Sequence, residues 1–398
     1  MSPRNLARRW ALVAWLPFAL TTCGGASFDD QAVIKGLRVL AVQKSAPYPA
    51  PGEGVDVKLL FWDGKSTEDN PRDVHIYFAR NACENPPGDL YLNCLSALAG
   101  GFVEGTPDGG NPDDMPDGGG SDGGESDGGT ASGAMSHAAP GRGFVPIASE
   151  NQARFRNIAP SDFVRATEAE KTAASFDVDH VRGRHFRITD TIVRPRTGGE
   201  PYGLAYVLFA ACPGHLGLVP NAAANTLPLG CFDDTDNHRL GADDFVIGYT
   251  SMYVYTARAN TNPIVNDFLF EGASFADSTT DDSRVPHIPN CQASDRSKCP
   301  KYPLKVAIDR ASAEIDTDPT AKTPDGRDLQ EQMWVAFYLT AGELKSSLRL
   351  VNDATRGWNE ENGTEFTAPA EPGPVRIFAV VHDNRGGIAW VEGKIIVD

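Results

Sequence analysis

The stretch Val55-Asp56-Val57-Lys58-Leu59-Leu60-Phe61-Trp62 decides the fold. Successive side chains of an extended chain point to opposite faces, so Val55, Val57, Leu59 and Phe61 share one side. The same period of two returns near the carboxyl end. There Val335, Phe337 and Leu339 alternate with Trp334, Ala336 and Tyr338, and Val375, Ile377, Ala379 and Val381 form another face. These runs are β-branched or aromatic, and Gly, Pro, Asn and Asp bound them, which is the composition of strands. Pro49-Ala50-Pro51-Gly52 and Asp383-Asn384-Arg385-Gly386-Gly387 supply the turn residues between strands. Only Ser161 to Ala174 reads as helical, with Ser161 or Asp162 as its cap. Many short strands with few helices predict an all-β protein built from antiparallel sandwiches. The alternation assigns Val57, Leu59, Phe61, Val335, Phe337, Val375, Ile377 and Val381 to the core.

A chain of 398 residues has room for two or three domains. The strand-like run Phe245 to Tyr255 ends shortly before Asn260-Thr261-Asn262-Pro263, and a new run starts at Ile264. An Asn-Pro step holds its first residue extended, which suits a short stiff connection. Residues 34–259 and 260–398 are therefore read as two sandwiches. From Gly105 to Gly143 there is no Val, Ile, Leu or aromatic residue, and Asp-Gly-Gly recurs. Such a segment cannot bury enough apolar area to offset its ordering entropy, so 105–143 is expected to be a disordered insertion in the first sandwich. Its acids recur irregularly and lack the D-x-D core of a calcium loop.

The amino end has the pattern of an export signal. Arg4, Arg8 and Arg9 precede the apolar run Trp10 to Leu20, which is too short to span a bilayer. The run meets Thr21-Thr22-Cys23-Gly24-Gly25, which resembles a bacterial lipobox, although Thr22 stands where Gly, Ala or Ser is usual. The resemblance implies a signal peptide over 1–22, lipidation of Cys23, a tether over 23–33, and sorting to the outer membrane because residue 24 is not Asp. Six cysteines remain: Cys83, Cys94, Cys212, Cys231, Cys291 and Cys299. In an exported chain an even set reads as disulfides, and although six allow 15 connectivities, the spacing favours the nearest-neighbour pairs. The spacing of paired zinc ligands is absent from the sequence.

The formal net charge of −17 falls to about −20 once the three arginines of the signal are removed. That balance excludes nucleic acid, whose binders displace phosphate counterions with a field of Lys and Arg, and it excludes docking on anionic lipid through a basic patch.

Several strand and turn motifs resemble bacterial Ig-like modules. Leu37 to Val42, Pro49-Ala50-Pro51-Gly52-Glu53 and Val55 to Trp62 look like the first two strands of such a module. Phe366-Thr367-Ala368-Pro369, Pro372-Gly373-Pro374, Val375 to Val381, Asp383 to Gly387 and Ile395-Ile396-Val397 resemble the last strands of PKD/cadherin-like and Ig-like repeats. Trp334 to Leu339 with Thr340-Ala341-Gly342-Glu343 fits strand C of the same modules. The whole is similar to two-domain outer-membrane lipoproteins of Gram-negative soil bacteria. The resemblance implies two Ig-like sandwiches, and its motifs are structural and carry no catalytic residues.

Chemistry-bearing motifs are few. The sequence contains no G-x-S-x-G, G-x-x-x-x-G-K-[ST], H-E-x-x-H or C-x-x-C. Its eight histidines are scattered and read as solvated side chains. Asp233-Asp234-Thr235-Asp236-Asn237 begins like a calcium loop, but His238 and Arg239 stand where such a loop needs other residues. It reads as a structural turn, with calcium as the alternative that the resemblance supports. Tyr249, Tyr253 and Tyr255 line one face of a strand, with Met252 and Val254 opposite. Such rings either cover a sheet as cross-strand pairs or offer flat apolar faces to sugar rings. The sequence thus predicts a non-enzymatic cell-envelope lipoprotein with a structural or interaction role, and as the alternative a surface carbohydrate-binding or adhesion module. No catalytic residue, metal or cofactor is assigned. The expected partners are the membrane, through the lipid, and an envelope protein or glycan.

Overall fold

The computed structural model describes residues 31–67, 70–79, 81–94, 180–219, 229–279, 281–316 and 321–398. Cys23, the signal peptide, the 105–143 insertion and the helix expected over 161–174 lie outside the described residues. What is described is all-β, with short 3-10 turns between strands.

Nine strands build the first sandwich: β1 (Leu37–Lys44), β2 (Gly54–Asp63), β3 (His75–Phe78), β4 (Cys83–Glu84), β5 (Val181–Arg187), β6 (Gly203–Cys212), β7 (His215–Leu218), β8 (Leu229–Phe232) and β9 (Val246–Val254). One sheet has the order β1-β2-β5. In the other, β6 pairs with β3 and β4 along one edge and with β9 along the opposite edge. Hairpin β7–β8 closes one end, and the Cys212–Cys231 disulfide ties it to β6. The core between the sheets holds Val55, Val57, Leu59, Phe61, Phe78, Phe186, Val207 and Met252.

Eleven strands build the second sandwich: β10 (Val265–Phe270), β11 (Ala273–Ser274), β12 (His287–Ile288), β13 (Tyr302–Ile308), β14 (Met333–Leu339), β15 (Glu343–Leu344), β16 (Leu348–Asp353), β17 (Gly357–Trp358), β18 (Thr364–Thr367), β19 (Gly373–Asp383) and β20 (Ile388–Val397). A five-stranded sheet β11-β10-β13-β18-β15 packs on a six-stranded sheet β12-β20-β19-β14-β16-β17. Its core holds Phe268, Phe275, Val335, Phe337, Phe366, Val375, Ile377, Val381 and Ile395. All eight residues that the alternation placed inside are buried.

The alternate faces of β2 and β19 are buried as well, because the two sandwiches stack. Leu40, Ala41, Leu60 and Trp62 of the first meet Phe378 and Val380 of the second, with Tyr338, Ile388 and Trp390 at the margin. A bulge in β1 between Val39 and Ala41 serves this seam. The extra residue turns Leu40 and Ala41 together toward the second sandwich, whereas Val39 and Val42 stay against the first core. The result is four β layers in succession.

Polar groups hold the margins of the seam. Gln43 donates to the Ile388 carbonyl at 2.7 Å, and Asn262 bridges both units by donating to the Lys44 carbonyl at 2.6 Å and accepting from the Ile388 amide at 2.9 Å. The β19–β20 turn places Gly386 at φ 88°. Asp383 Oδ1 braces that turn by accepting from the amides of Arg385 at 2.8 Å and Gly387 at 2.7 Å. The segment ahead of β1 also crosses over: the Leu339 amide donates to the Ala32 carbonyl and the Ile34 amide donates to the Leu339 carbonyl, both at 2.9 Å.

Candidate binding face

The outer surface of the first sandwich carries a tyrosine face. In β9 the period of two turns Met252 and Val254 into the core and leaves Tyr249 and Tyr253 outward, 43% and 39% exposed. Their direct partners on β6 are Leu208 and Leu204, and Tyr206 stands opposite Ser251. Tyr255 follows just beyond the strand, with its ring 6.5 Å from that of Tyr253 and tilted from it by only 17°.

Four further tyrosines come from other segments. Tyr206 meets Tyr249 edge to face at 5.5 Å. Tyr202 lies 5.6 Å from Tyr253 and 6.1 Å from Tyr255. Tyr48, from the β1–β2 hairpin, lies 5.1 Å from Tyr255. Tyr91 stacks on Tyr249 at 4.2 Å with an interplanar angle of 22°. Seven rings thus form one continuous surface. The sequence marked three of them, since only Tyr249, Tyr253 and Tyr255 share one alternating run, whose last member falls just beyond β9. A period of two in Tyr202 and Tyr206 was a further signal, whereas nothing local marks Tyr48 or Tyr91.

A stapled loop delivers Tyr91. The Cys83–Cys94 disulfide closes it, and inside it Asn85, Gly88 and Asp89 all adopt left-handed backbone, at φ 44°, 65° and 56°. Two of these are non-glycine residues, which adopt that region only when their surroundings hold them. Here Asn85 Oδ1 accepts from the Leu204 amide at 3.1 Å. The Asp89 carboxylate takes two bonds from Arg196, at 2.9 and 3.0 Å, and one from the Tyr202 hydroxyl at 3.1 Å. The Tyr206 hydroxyl donates to the Asp89 carbonyl at 2.8 Å. The Arg196 guanidinium also lies over the Tyr202 ring at 4.0 Å, a cation–π contact.

Two of the charges on this face are paired, Arg196 with Asp89 and Arg258 with Glu200, whereas Arg194, opposite Tyr202, is exposed. Burial raises the phenol pKa of Tyr202, and the hydrogen bond to Asp89 raises it further. Burial likewise raises Tyr206, and it pushes Tyr48 up to about 12. These hydroxyls therefore remain neutral donors and acceptors. The surface offers two well-exposed phenol rings, Tyr249 and Tyr253, with exposed Ile247, Leu90 and Leu92 beside them.

The other candidates are placed as follows. The pairs Cys83–Cys94, Cys212–Cys231 and Cys291–Cys299 are joined as the spacing suggested. In the 233–238 loop, Asp233 accepts from the Thr235 amide at 2.8 Å, Asp234 pairs with His215 at 2.8 Å, and Asp236 pairs with His238. The ligand atoms of Asp233, Asp236 and His238 lie within 4.8 Å of one another, and the last two side chains are exposed. Asp244, downstream of that loop, pairs with Arg72 at 2.6 Å and Lys65 at 2.8 Å.

Three histidines are not solvated. His215 is buried and stacked on Phe232, His382 stacks on Trp334, and His180 enters the seam. There His180 pairs with Glu392 at 2.9 Å, beside the buried Arg376, whose guanidinium lies 5.3 Å from the Trp62 ring. Burial opposes the charge on Glu392, but His180 and Arg376 together hold its pKa below the ordinary range. At the seam margin Arg385 pairs with Glu331 and, at 3.0 Å, with Glu314. Burial lifts Glu331 to about 7 and lowers Lys44 to about 8. A cavity of about 10 Å³ between Trp62, Asp63, Arg72 and His180 has room for a single water.

No family model matches the sequence, and no curated protein matches it. Among solved structures, the native conformation of Escherichia coli alpha-2-macroglobulin aligns with 93% of this chain at 11% identity and a TM-score of 0.19. Dimeric latent PorU from Porphyromonas gingivalis aligns with 92% at 9% identity and a TM-score of 0.18. The chain spans 17% and 24% of those proteins' lengths. Likenesses of that size carry no argument about function.

Proposed function

We propose that this chain is a non-enzymatic lipoprotein of the cell envelope, anchored through Cys23, whose role is interaction. The observation that supports this reading most is the tyrosine face. Tyr249 and Tyr253 stay more than a third exposed on a sheet whose other face is a closed core. We read these two exposed rings, continuous with five less exposed ones, as a contact surface. The sequence supports the address: a basic segment, a short apolar run and a cysteine followed by glycines. Several acyl chains on one cysteine would hold the protein stably, where one chain would not.

Two measurements on the full-length protein test the reading. Cys23→Ser should move the protein from the membrane to the soluble fraction and abolish the lipid mass. Sedimentation with membranes and an unchanged mass would overturn the anchor. Purified Cys23→Ser protein, which lacks the anchor, should co-sediment with detergent-stripped cell envelopes, and adding Tyr249→Ala/Tyr253→Ala should abolish that co-sedimentation. Equal co-sedimentation would overturn the interaction role of this face.

A further inference from the structure

We infer that the tyrosine face binds a neutral saccharide, and that the disulfide-closed 83–94 loop holds the platform in its binding arrangement. The inference rests on the interaction role proposed above and names the ligand class.

Three observations lead to it. The first is the ring chemistry. All seven rings of the face are tyrosines, so each apolar surface ends in a hydroxyl. That pairing of flat hydrocarbon and hydrogen-bonding edge matches a sugar, which presents C–H groups on its faces and hydroxyls around its rim.

The second is charge complementarity. The two cations that lie over the rings are compensated, Arg196 on Tyr202 by Asp89 and Arg258 on Tyr255 by Glu200, so neither is left to hold a phosphate, sulfate or carboxylate. The chain carries a formal charge of −17, which repels acidic polysaccharides and anionic lipid at long range. A neutral ligand is the one that this surface accepts without an electrostatic penalty.

The third is preorganisation. Tyr91 reaches Tyr249 only because its loop turns back through Asn85, Gly88 and Asp89, and the disulfide, Arg196, Tyr202 and Tyr206 fix that path. Rings set before binding lose little freedom on binding, which is how weak stacking contacts become useful affinity.

The test uses intact purified protein on an array of neutral glucan, mannan and N-acetylglucosamine oligomers, with sulfated and sialylated oligomers of equal length beside them. Hits are quantified by calorimetry. The wild type should bind at least one neutral series and favour it over the charged counterparts. Tyr249→Ala and Tyr253→Ala should each weaken that binding by about tenfold or more, which corresponds to ~1.4 kcal/mol. Tyr249→Phe keeps the ring and should retain most of the affinity. Cys83→Ser/Cys94→Ser should also bind more weakly, with unchanged far-ultraviolet dichroism showing that the sandwich persists. Absence of neutral binding at millimolar oligomer, preference for charged oligomers, capture of an extended peptide instead, or affinity unaffected by the Tyr→Ala changes would each overturn the inference. If envelope co-sedimentation still depends on Tyr249 and Tyr253 while no glycan binds, the saccharide is wrong and the interaction role stands.

Discussion

Two outer sheet faces of the first sandwich have had opposite fates. The outer face of β1-β2-β5 carries Leu40, Leu60 and Trp62 and is covered by the second sandwich. The outer face of β6 and β9 leaves Tyr249 and Tyr253 of β9 exposed, while Leu204, Tyr206 and Leu208 of β6 beside them are buried. Both are aromatic, so hydrophobicity alone does not distinguish them. The covered face uses Trp and aliphatic side chains, and its charges, Arg376, Glu392 and His180, are grouped against one another, as burial requires. The open face uses phenols, and the hydroxyls of Tyr202 and Tyr206 bond to the stapled loop. The two faces differ in the kind of aromatic residue and in where its polar atoms go.

The sharpest way to break this contrast is to truncate one ring on each face. Phe378→Ala empties a fully buried site in the seam and should cost ~3–5 kcal/mol, read from denaturant unfolding. Tyr249→Ala gives up the ring contacts with Tyr91 and Tyr206 and should cost only about 1 kcal/mol. Equal losses would mean that the tyrosine face is also a packed interface. Next in size is the staple. Cys83→Ser/Cys94→Ser opens a loop with sequence separation 11 and should cost ~2–3 kcal/mol by calorimetry. A neutral result would show that Asp89 and Arg196 hold the loop unaided.

The seam margin also predicts a pH signature. Burial raises Glu331 from 4.5 to about 7, so its contribution is full below about pH 4.5 and declines as pH rises to about 7. Burial lowers His382 from 6.5 to about 4, so its contribution is full above about pH 6.5 and is lost as pH falls toward 4. The two slopes oppose each other between about pH 4.5 and 6.5. Glu331→Gln should remove one of them, giving a melting temperature that climbs with pH through that window more steeply than the wild type's. Parallel profiles would place the titration elsewhere. The smallest effect concerns the connection that leaves the tyrosine face after Cys94 and returns to the seam at His180. Deleting 105–143 removes nearly half of it, and halving a flexible loop changes its closure cost by only ~0.6 kcal/mol. A fall of many degrees in the thermal midpoint would show that the insertion packs on one of the two faces.

Much of the fold was legible in the sequence. Period-two runs identified the inward residues of β2, β14 and β19, and the turn residues 49–52 and 383–387 fell between strands. Leu60, Trp62, Phe378 and Val380 were harder, because a strand buried on both faces loses the alternation that assigns sides. The same limit hid the seam histidine: His180 looks like any solvated imidazole until Glu392, far along the chain, arrives beside it. Of the binding face, the strand showed three tyrosines. The other four come from β6, the β1–β2 hairpin and a loop whose path depends on a disulfide and on left-handed residues. Local periodicity carries no information about such convergence.

Residues 32–34 touch the second sandwich before the chain enters the first strand of the first, through the reciprocal bonds between Ala32, Ile34 and Leu339. This gives the protein a mechanical character. A pull on the amino end is delivered to the boundary between the two units, where β14 of one and β1 of the other are gripped within a few residues. Neither sandwich can be drawn away by that end while the other remains at rest. A load arriving there is shared by both, and the tyrosine face on the far layer is carried with them as one body.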